Sequence, residues 1–217
     1  MCSKNGENVD MTTLGSTGKT DPSKFDGKKK LFLVPLIPMA NLVLEKDKDL
    51  FDRHWNEISQ QIDNLEVGLG SVRHVFHEMV HEEGGKGMEL LKSVSPGSAM
   101  VVDKLVKSGA NLDALEDPDI LMEMTDWQRC LSIGLVSKKV FELASGNLQD
   151  LSEKRNLSIS ETVSNKIDAV NTGILFISEG HTVQFPSDIQ VFYVSPPSSN
   201  QLKAAVNELL SAEQNGE

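Results

Sequence analysis

Residues 72–83, Val-Arg-His-Val-Phe-His-Glu-Met-Val-His-Glu-Glu, decide how the rest of this chain is interpreted. As a helix, the segment would place its valines and Phe76 on one face and its histidines on the opposite face. As a strand over residues 72–76, it would complete a strand–helix–strand order and leave His77 and Glu78 at the carboxyl end of the strand. We favour the strand, and the helix stays open as the alternative.

The segments before it support an α/β fold. Residues 31–37 form a continuous apolar run of strand length, which is typical of a strand covered on both faces. Residues 47–65 follow with an apolar stripe at helical spacing, and His54 lies on that stripe. Residues 84–87, which contain three glycines, are predicted to be a loop.

The segments after it predict a helix-rich middle and two more strands. Short helices are expected over residues 88–94 and 99–107. Asp117-Pro118 is a helix start, residues 137–151 have an amphipathic pattern, and Ser158-Ile-Ser-Glu161 is a capping box that would open a further helix. Strands over residues 174–178 and 189–194 and a helix over 201–210 end the pattern.

This order predicts an α/β fold with a Rossmann-like, mostly parallel sheet and a helix-rich middle insertion at about residues 117–170. We expect a single domain over residues 28–212. Residues 1–27 have no apolar period and are predicted to be a disordered leader, and residues 213–217 a disordered tail.

Charge and cysteine usage restrict the partners and the compartment. The formal net charge of −11 argues against binding to nucleic acids or to anionic membranes, because both need a basic surface. Cys2 in the leader and Cys130 in an apolar helix do not form a disulfide framework, so a reducing cytoplasm is expected. A homodimer and a small-molecule or protein partner stay open.

One candidate site is the string His77-Glu78-Met79-Val80-His81, which has the H-E-x-x-H spacing. On a helix, this spacing offers two imidazoles to a metal, with the glutamate as a base for the bound water. The string resembles zinc metallopeptidases over these few residues. Zinc or manganese would be the metal, and the candidates for a third protein ligand are Glu116, Glu123 and His181.

A second candidate site is the stretch 173–183, Gly-Ile-Leu-Phe-Ile-Ser-Glu-Gly-His-Thr-Val, an apolar strand that ends in a turn and a histidine. Ligands of open α/β sheets bind outside such strand ends. The stretch resembles the C-terminal part of the TraB, ChaN and Tiki-type families. That resemblance implies His181 as the late histidine, Glu78 as the early acid and Arg129 as a catalytic partner of these two.

Two functional hypotheses follow. The preferred hypothesis is a binding or regulatory domain whose polar strand ends hold a small ligand or a partner. The alternative is a metal-dependent hydrolase that uses either His77, Glu78 and His81, or Glu78 with His181. The geometry of the site distinguishes the two hypotheses. Both hydrolase versions need Glu78 and at least two histidines in one pocket, whereas the binding hypothesis does not.

Overall fold

The fold is a five-stranded parallel sheet covered on both faces, as seen in a computed structural model that describes residues 27–215. The strands are β1 (Lys29–Leu36), β2 (Val72–His77), β3 (Asn111–Leu112), β4 (Thr172–Ser178) and β5 (Ile189–Tyr193). They lie in the order β3-β2-β4-β1-β5, and each neighbouring pair is parallel. The predicted α/β class and parallel sheet are confirmed, and the predicted leader lies outside the described residues except for Gly27.

Seven helices connect or follow these strands in the described part of the chain. They are α1 (Asn41–Lys46), α2 (Lys48–Leu69), α3 (Gly84–Val94), α4 (Pro96–Lys107), α5 (Pro118–Ser132), α6 (Lys138–Lys166) and α7 (Ser198–Asn215). The helix-rich middle is confirmed as α5 and α6. Helix α7 extends three residues into the stretch that the sequence predicts as a tail. Over residues 27–215, the helices are too short or too polar for any of them to span a bilayer.

Two elements differ from the sequence predictions. Residues 84–87 are the first turn of α3 rather than a loop. The predicted helices over 137–151 and from Ser158 onwards are one continuous 29-residue helix, α6. The capping box at Ser158 is therefore wrong, because no glycine or proline between residues 147 and 165 interrupts the helical hydrogen bonds.

The sheet core forms because the central strands are apolar on both faces. Residues 31–34 of β1 and 172–177 of β4 are buried without interruption, as expected for parallel strands that are covered by helices. Side chains of α2, α3 and α4 pack on one face of the sheet. Side chains of α6 and of the connection 179–188 pack on the other face.

The connections between successive strands lie on two different faces of the sheet. The connections that lead from β1 to β2 and from β2 to β3 lie on the α2–α4 face. Those that lead from β3 to β4 and from β4 to β5 lie on the α6 face, as is required when all crossovers have the same hand. The chain therefore leaves β1 and its neighbour β4 towards opposite faces, and this divergence opens a crevice at the carboxyl edge of the sheet.

Gly97 lets α4 approach α2 closely. A Cβ atom at Gly97 would lie 2.0 Å from Nε1 of Trp55, a rigid and buried ring. We therefore expect Gly97→Ala to lower the free energy of unfolding by about 2–3 kcal/mol, measured by urea denaturation. Gly85→Ala is the matched control, because Gly85 is also the second residue of its helix and its added Cβ would meet no atom within 4 Å. Equal stability of the two variants would contradict this packing.

His54 makes stability depend on pH. Its side chain is 2% exposed, and burial lowers its pKa to about 4 from 6.5. Between these two values, His54 takes up a proton in the unfolded chain but not in the folded protein, so acidification favours unfolding. From pH 7 to pH 4.5, we expect the wild type to lose about 2–3 kcal/mol more unfolding free energy than His54→Asn. Parallel pH profiles in chemical denaturation would refute this role.

Candidate functional site

The crevice at the carboxyl edge is a cavity of about 210 Å³, lined by the ends of β1, β2 and β4. It lies where neighbouring strands send the chain to opposite faces, which is the place where open α/β sheets bind ligands. Its lining residues are Leu36, Ile37, Pro38, Met39, Ala40, Asn41, Trp55, His77, Glu78, Met79, Val94, Ser95 and Ser178. Most of these side chains are apolar, and Glu78 is the one charged group among them.

The main chain fixes Glu78 beside Ser178. His77 pairs with Phe176 in the β2–β4 register, and the amide of Glu78 then donates to the carbonyl of Phe176 at 2.9 Å. The Ser178 hydroxyl, two residues further along β4, donates to Oε1 of Glu78 at 2.5 Å. The carboxylate is thus positioned by the sheet ladder as well as by its own hydrogen bond.

Arg155 connects Glu78 to a second carboxylate. Its Nε donates to both oxygens of Glu116 at 2.9 and 3.0 Å, its terminal nitrogen also bonds Glu116, and that terminal nitrogen lies 3.7 Å from Oε2 of Glu78. The side chains of Glu116, Glu78 and Arg155 are 1%, 14% and 18% exposed. Burial alone would lower the pKa of Arg155, but the bonds and charge of Glu116 outweigh burial and raise it. We call Glu78, Glu116 and Arg155 the ion cluster.

His77 is held inside the protein. It is 1% exposed, and its ring stacks on that of Phe176 with centroids 5.6 Å apart. Its Nε2 is 2.9 Å from the Ser98 hydroxyl, and its Nδ1 contacts the carbonyl oxygen of Glu78. Burial lowers the pKa of His77, which favours the neutral ring. Both ring nitrogens therefore already have partners in the described structure.

His181 lies in the turn after β4, where its amide donates to the carbonyl of Ser178 at 3.0 Å. Its Nδ1 is buried and has no hydrogen-bond partner among the described residues. Burial lowers the pKa of His181, while the charge of Glu78 acts in the opposite direction. The imidazole is therefore within electrostatic reach of the ion cluster.

His181 also borders a second, larger cavity of about 550 Å³ on the α6 face. This cavity lies under the connection 179–188 and against β5, with Leu33, Phe185 and Val191 among its apolar lining residues. Bonds from α6 fix the connection: Asn156 donates to the Thr182 hydroxyl at 2.8 Å, and Ser160 to the carbonyl of Gln184 at 2.6 Å. Helix α6 thus positions both Arg155 and the loop that carries His181.

Two methionines beside Glu78 have a strained backbone. Met39, after β1, and Met79, after β2, have φ angles of 58° and 72°, and they are the non-glycine residues with positive φ in the described chain. Their side chains are 61% and 50% exposed, and both line the smaller cavity. Such left-handed residues cluster at ligand sites, where the surrounding structure enforces them.

The structure does not assemble the predicted metal site. Residues 72–77 are a strand and a turn follows, so His77 and His81 do not share a helix, and the zincin form of the motif is wrong. Glu123 is exposed on α5 and accepts a bond from Trp127 at 3.3 Å. Within residues 27–215, no three histidine, cysteine or acidic side chains are grouped so that they could hold a metal ion.

The predicted partner Arg129 is also in the wrong place. It is 77% exposed on α5, where it pairs with Asp126 at 3.6 Å. Arg155 occupies the position beside Glu78 that was predicted for Arg129. A signal for Arg155 was present, because Arg155, Ile159 and Val163 are spaced four residues apart on one helical face. An arginine that continues a buried stripe needs a buried carboxylate.

Comparison with protein-family models, curated proteins and solved structures finds no match to this chain. The resemblance to TraB, ChaN and Tiki-type proteins therefore stays a prediction, and the site is interpreted from its geometry.

The ion cluster can be tested by a pair of arginine variants. Arg155→Gln leaves Glu116 buried without its cation, so we expect a loss of about 3–5 kcal/mol in unfolding free energy. Arg129→Gln removes an exposed pair, and we expect a change below about 0.5 kcal/mol. Chemical denaturation of both variants at pH 7 measures the difference. Similar stabilities would show that the cluster does not hold α6 in place.

Proposed function

We propose that this chain is a small-molecule-binding domain whose site is the crevice between the carboxyl ends of β1, β2 and β4. The observation that carries the proposal is the position of the cavity at the divergence of β1 and β4, with Glu78 as its one charged lining group. The two positive-φ methionines at the rim support it further.

The lining indicates the class of ligand. A cavity of about 210 Å³ is smaller than the usual range for drug-sized molecules, so the ligand is of metabolite size. Its apolar walls suit a short hydrocarbon or ring system. Glu78, whose carboxylate accepts hydrogen bonds, suits an amine, an amidine or a neutral donor group on that body.

The methionine methyl groups offer a direct assay on the full chain. We would label the chain with ¹³C-methyl methionine and add mixtures of small amines and neutral metabolites. A ligand of this crevice is expected to shift the Met39 and Met79 signals together and saturably. Met100 on α4 and Met122 on α5 are also exposed and do not line the cavity, so their signals should stay fixed.

Glu78→Gln then tests the assigned carboxylate. The variant keeps an acceptor for Ser178 but loses the charge, so we expect at least about a tenfold weaker affinity for the ligand found. Glu82→Gln is the matched control, because Glu82 is exposed in the same connection and does not line the cavity. The proposal fails if no compound shifts both methionine signals, or if the two glutamine variants bind equally well.

A hydrolase that uses Glu78 and His181 is the second candidate, although the predicted pocket of Glu78 with two histidines is not formed, because Glu78 and His77 line the smaller cavity and His181 lines the larger one. The unpartnered Nδ1 of His181 and the charge of Glu78 acting on that ring favour it. Proton spectra of the added compounds in the same samples distinguish the candidates, because conversion of a compound into products would reveal catalysis. Loss of that conversion in both Glu78→Gln and His181→Gln would support the hydrolase. A stable bound ligand supports the binding domain.

A further inference from the structure

Helices α5 and α6 form an arm that extends away from the sheet. We define the arm as residues 118–152. Helix α5 packs mainly against α6, and Ile120 is its one buried residue. The buried side chains that α6 contributes to the sheet core, Ile159 and Val163, lie near its carboxyl end. The first half of α6 therefore extends beyond the carboxyl edge of the sheet together with α5.

The arm carries an exposed apolar stripe. Val140 and Leu143 lie one turn apart on α6 and are 47% and 61% exposed, and Val136, in the connection before α6, is 103% exposed. Ile133 and Phe141 flank them at 77% and 50%. Six of the fifteen exposed large apolar side chains of the described chain lie between residues 122 and 143. This density indicates an interaction surface rather than scattered exposed residues.

The charges along the arm are separated. Residues 118–126, at its base, contain three carboxylates and no lysine or arginine, and Asp117 directly before the arm adds a fourth carboxylate. Residues 127–141, which form the tip, contain Arg129, Lys138 and Lys139 and no carboxylate. Arg129 pairs with Asp126 of the base, and Lys138 pairs with Glu142, which directly follows the tip. Both salt bridges are 3.6 Å long and highly exposed, so these cations stay available to a partner.

We propose that the arm is a homodimer interface in which two copies pack their arms side by side and antiparallel. A two-fold axis then places the basic tip of one copy over the acidic base of the other, and the same contact occurs twice. The apolar stripes are covered between the arms. A parallel arrangement would instead bring tip to tip and base to base, with like charges in contact.

The size of the arm sets the expected strength. A helix of 15 residues such as α5 is about 22 Å long, and two helices side by side are about 20 Å wide. The area buried between two arms is therefore at the low end of the range for specific interfaces, and we expect a reversible dimer with a micromolar dissociation constant. Sedimentation equilibrium of the full chain over about 1–300 µM covers that range.

Variants of the stripe test where the dimer forms. Val140→Glu/Leu143→Glu places charges on exposed positions, so the fold should persist while the dissociation constant rises at least about tenfold. Val67→Glu is the matched control, since Val67 is 91% exposed on α2, away from the arm. A wild type that stays monomeric over the whole range overturns the proposal and leaves the arm to a different protein. A dimer that the stripe variant does not weaken also overturns it.

Charge reversal tests the antiparallel orientation. Lys138→Glu/Lys139→Glu makes the tip acidic, and Glu123→Lys/Asp126→Lys makes the base basic. Each pair alone should weaken the dimer at least about fivefold, because like charges then face each other. The four changes in one chain restore opposite charges across the interface, so dimerisation should return to near the wild-type level. Failure of this rescue, with the quadruple variant folded by circular dichroism, refutes the antiparallel arrangement.

Discussion

The parallel pairing of β4 with β1 on one side and β2 on the other is the constraint on which the rest of the structure depends. The ladder continues past the strand ends, where the amides of Glu78 and Glu179 bond carbonyls of the neighbouring strands. A slip of one residue would turn each buried strand over and move Glu78 away from Ser178. Because β4 is apolar on both faces, burial alone would tolerate such a slip, whereas the polar contacts at the strand ends, such as that of Ser178 with Glu78, are made only in this register.

The ion cluster adds a second, more costly constraint. Three separate segments meet in it: the end of β2, the connection before α5, and α6. Buried charges lose their hydration energy, and their mutual attraction offsets this loss only when the geometry is good. Apolar residues of the same size can give equal stability. Stability alone therefore does not explain the cluster. Its effect is positional, since Arg155 fixes α6 beside Glu78, and Asn156 and Ser160 of the same helix fix the loop that carries His181 at the larger cavity.

Local patterns were sufficient to predict the sheet, whereas the site depended on contacts that are distant in sequence. Each of these patterns lies within one short segment of sequence: the apolar runs of β1 and β4 and the apolar stripe of α2. Because the carboxyl ends of parallel strands share one edge of the sheet, Glu78 and His181 could be predicted to lie at that edge. Arg155 was missed because the capping box at Ser158 divided α6 and separated Arg155 from Ile159 and Val163. Arg129 was named through the resemblance to TraB, ChaN and Tiki-type proteins, although it lies off the apolar stripe of α5, which Ile120, Met124 and Leu131 form.

Helix α6 joins the proposed interface to the proposed ligand site. Its 29 residues form one continuous helix about 43 Å long. The amino-terminal half belongs to the arm, the carboxyl-terminal end packs on the sheet, and Arg155 lies between them. Since the arm leaves from the carboxyl edge, antiparallel pairing brings the basic tip of one copy to the base of the other arm. That base adjoins the ion cluster, where Glu116 and Glu78 already share Arg155. The dimer would thus place three additional cations, from Arg129, Lys138 and Lys139 of the other copy, near each crevice. The electrostatic potential at the crevice would then differ between the dimer and the monomer.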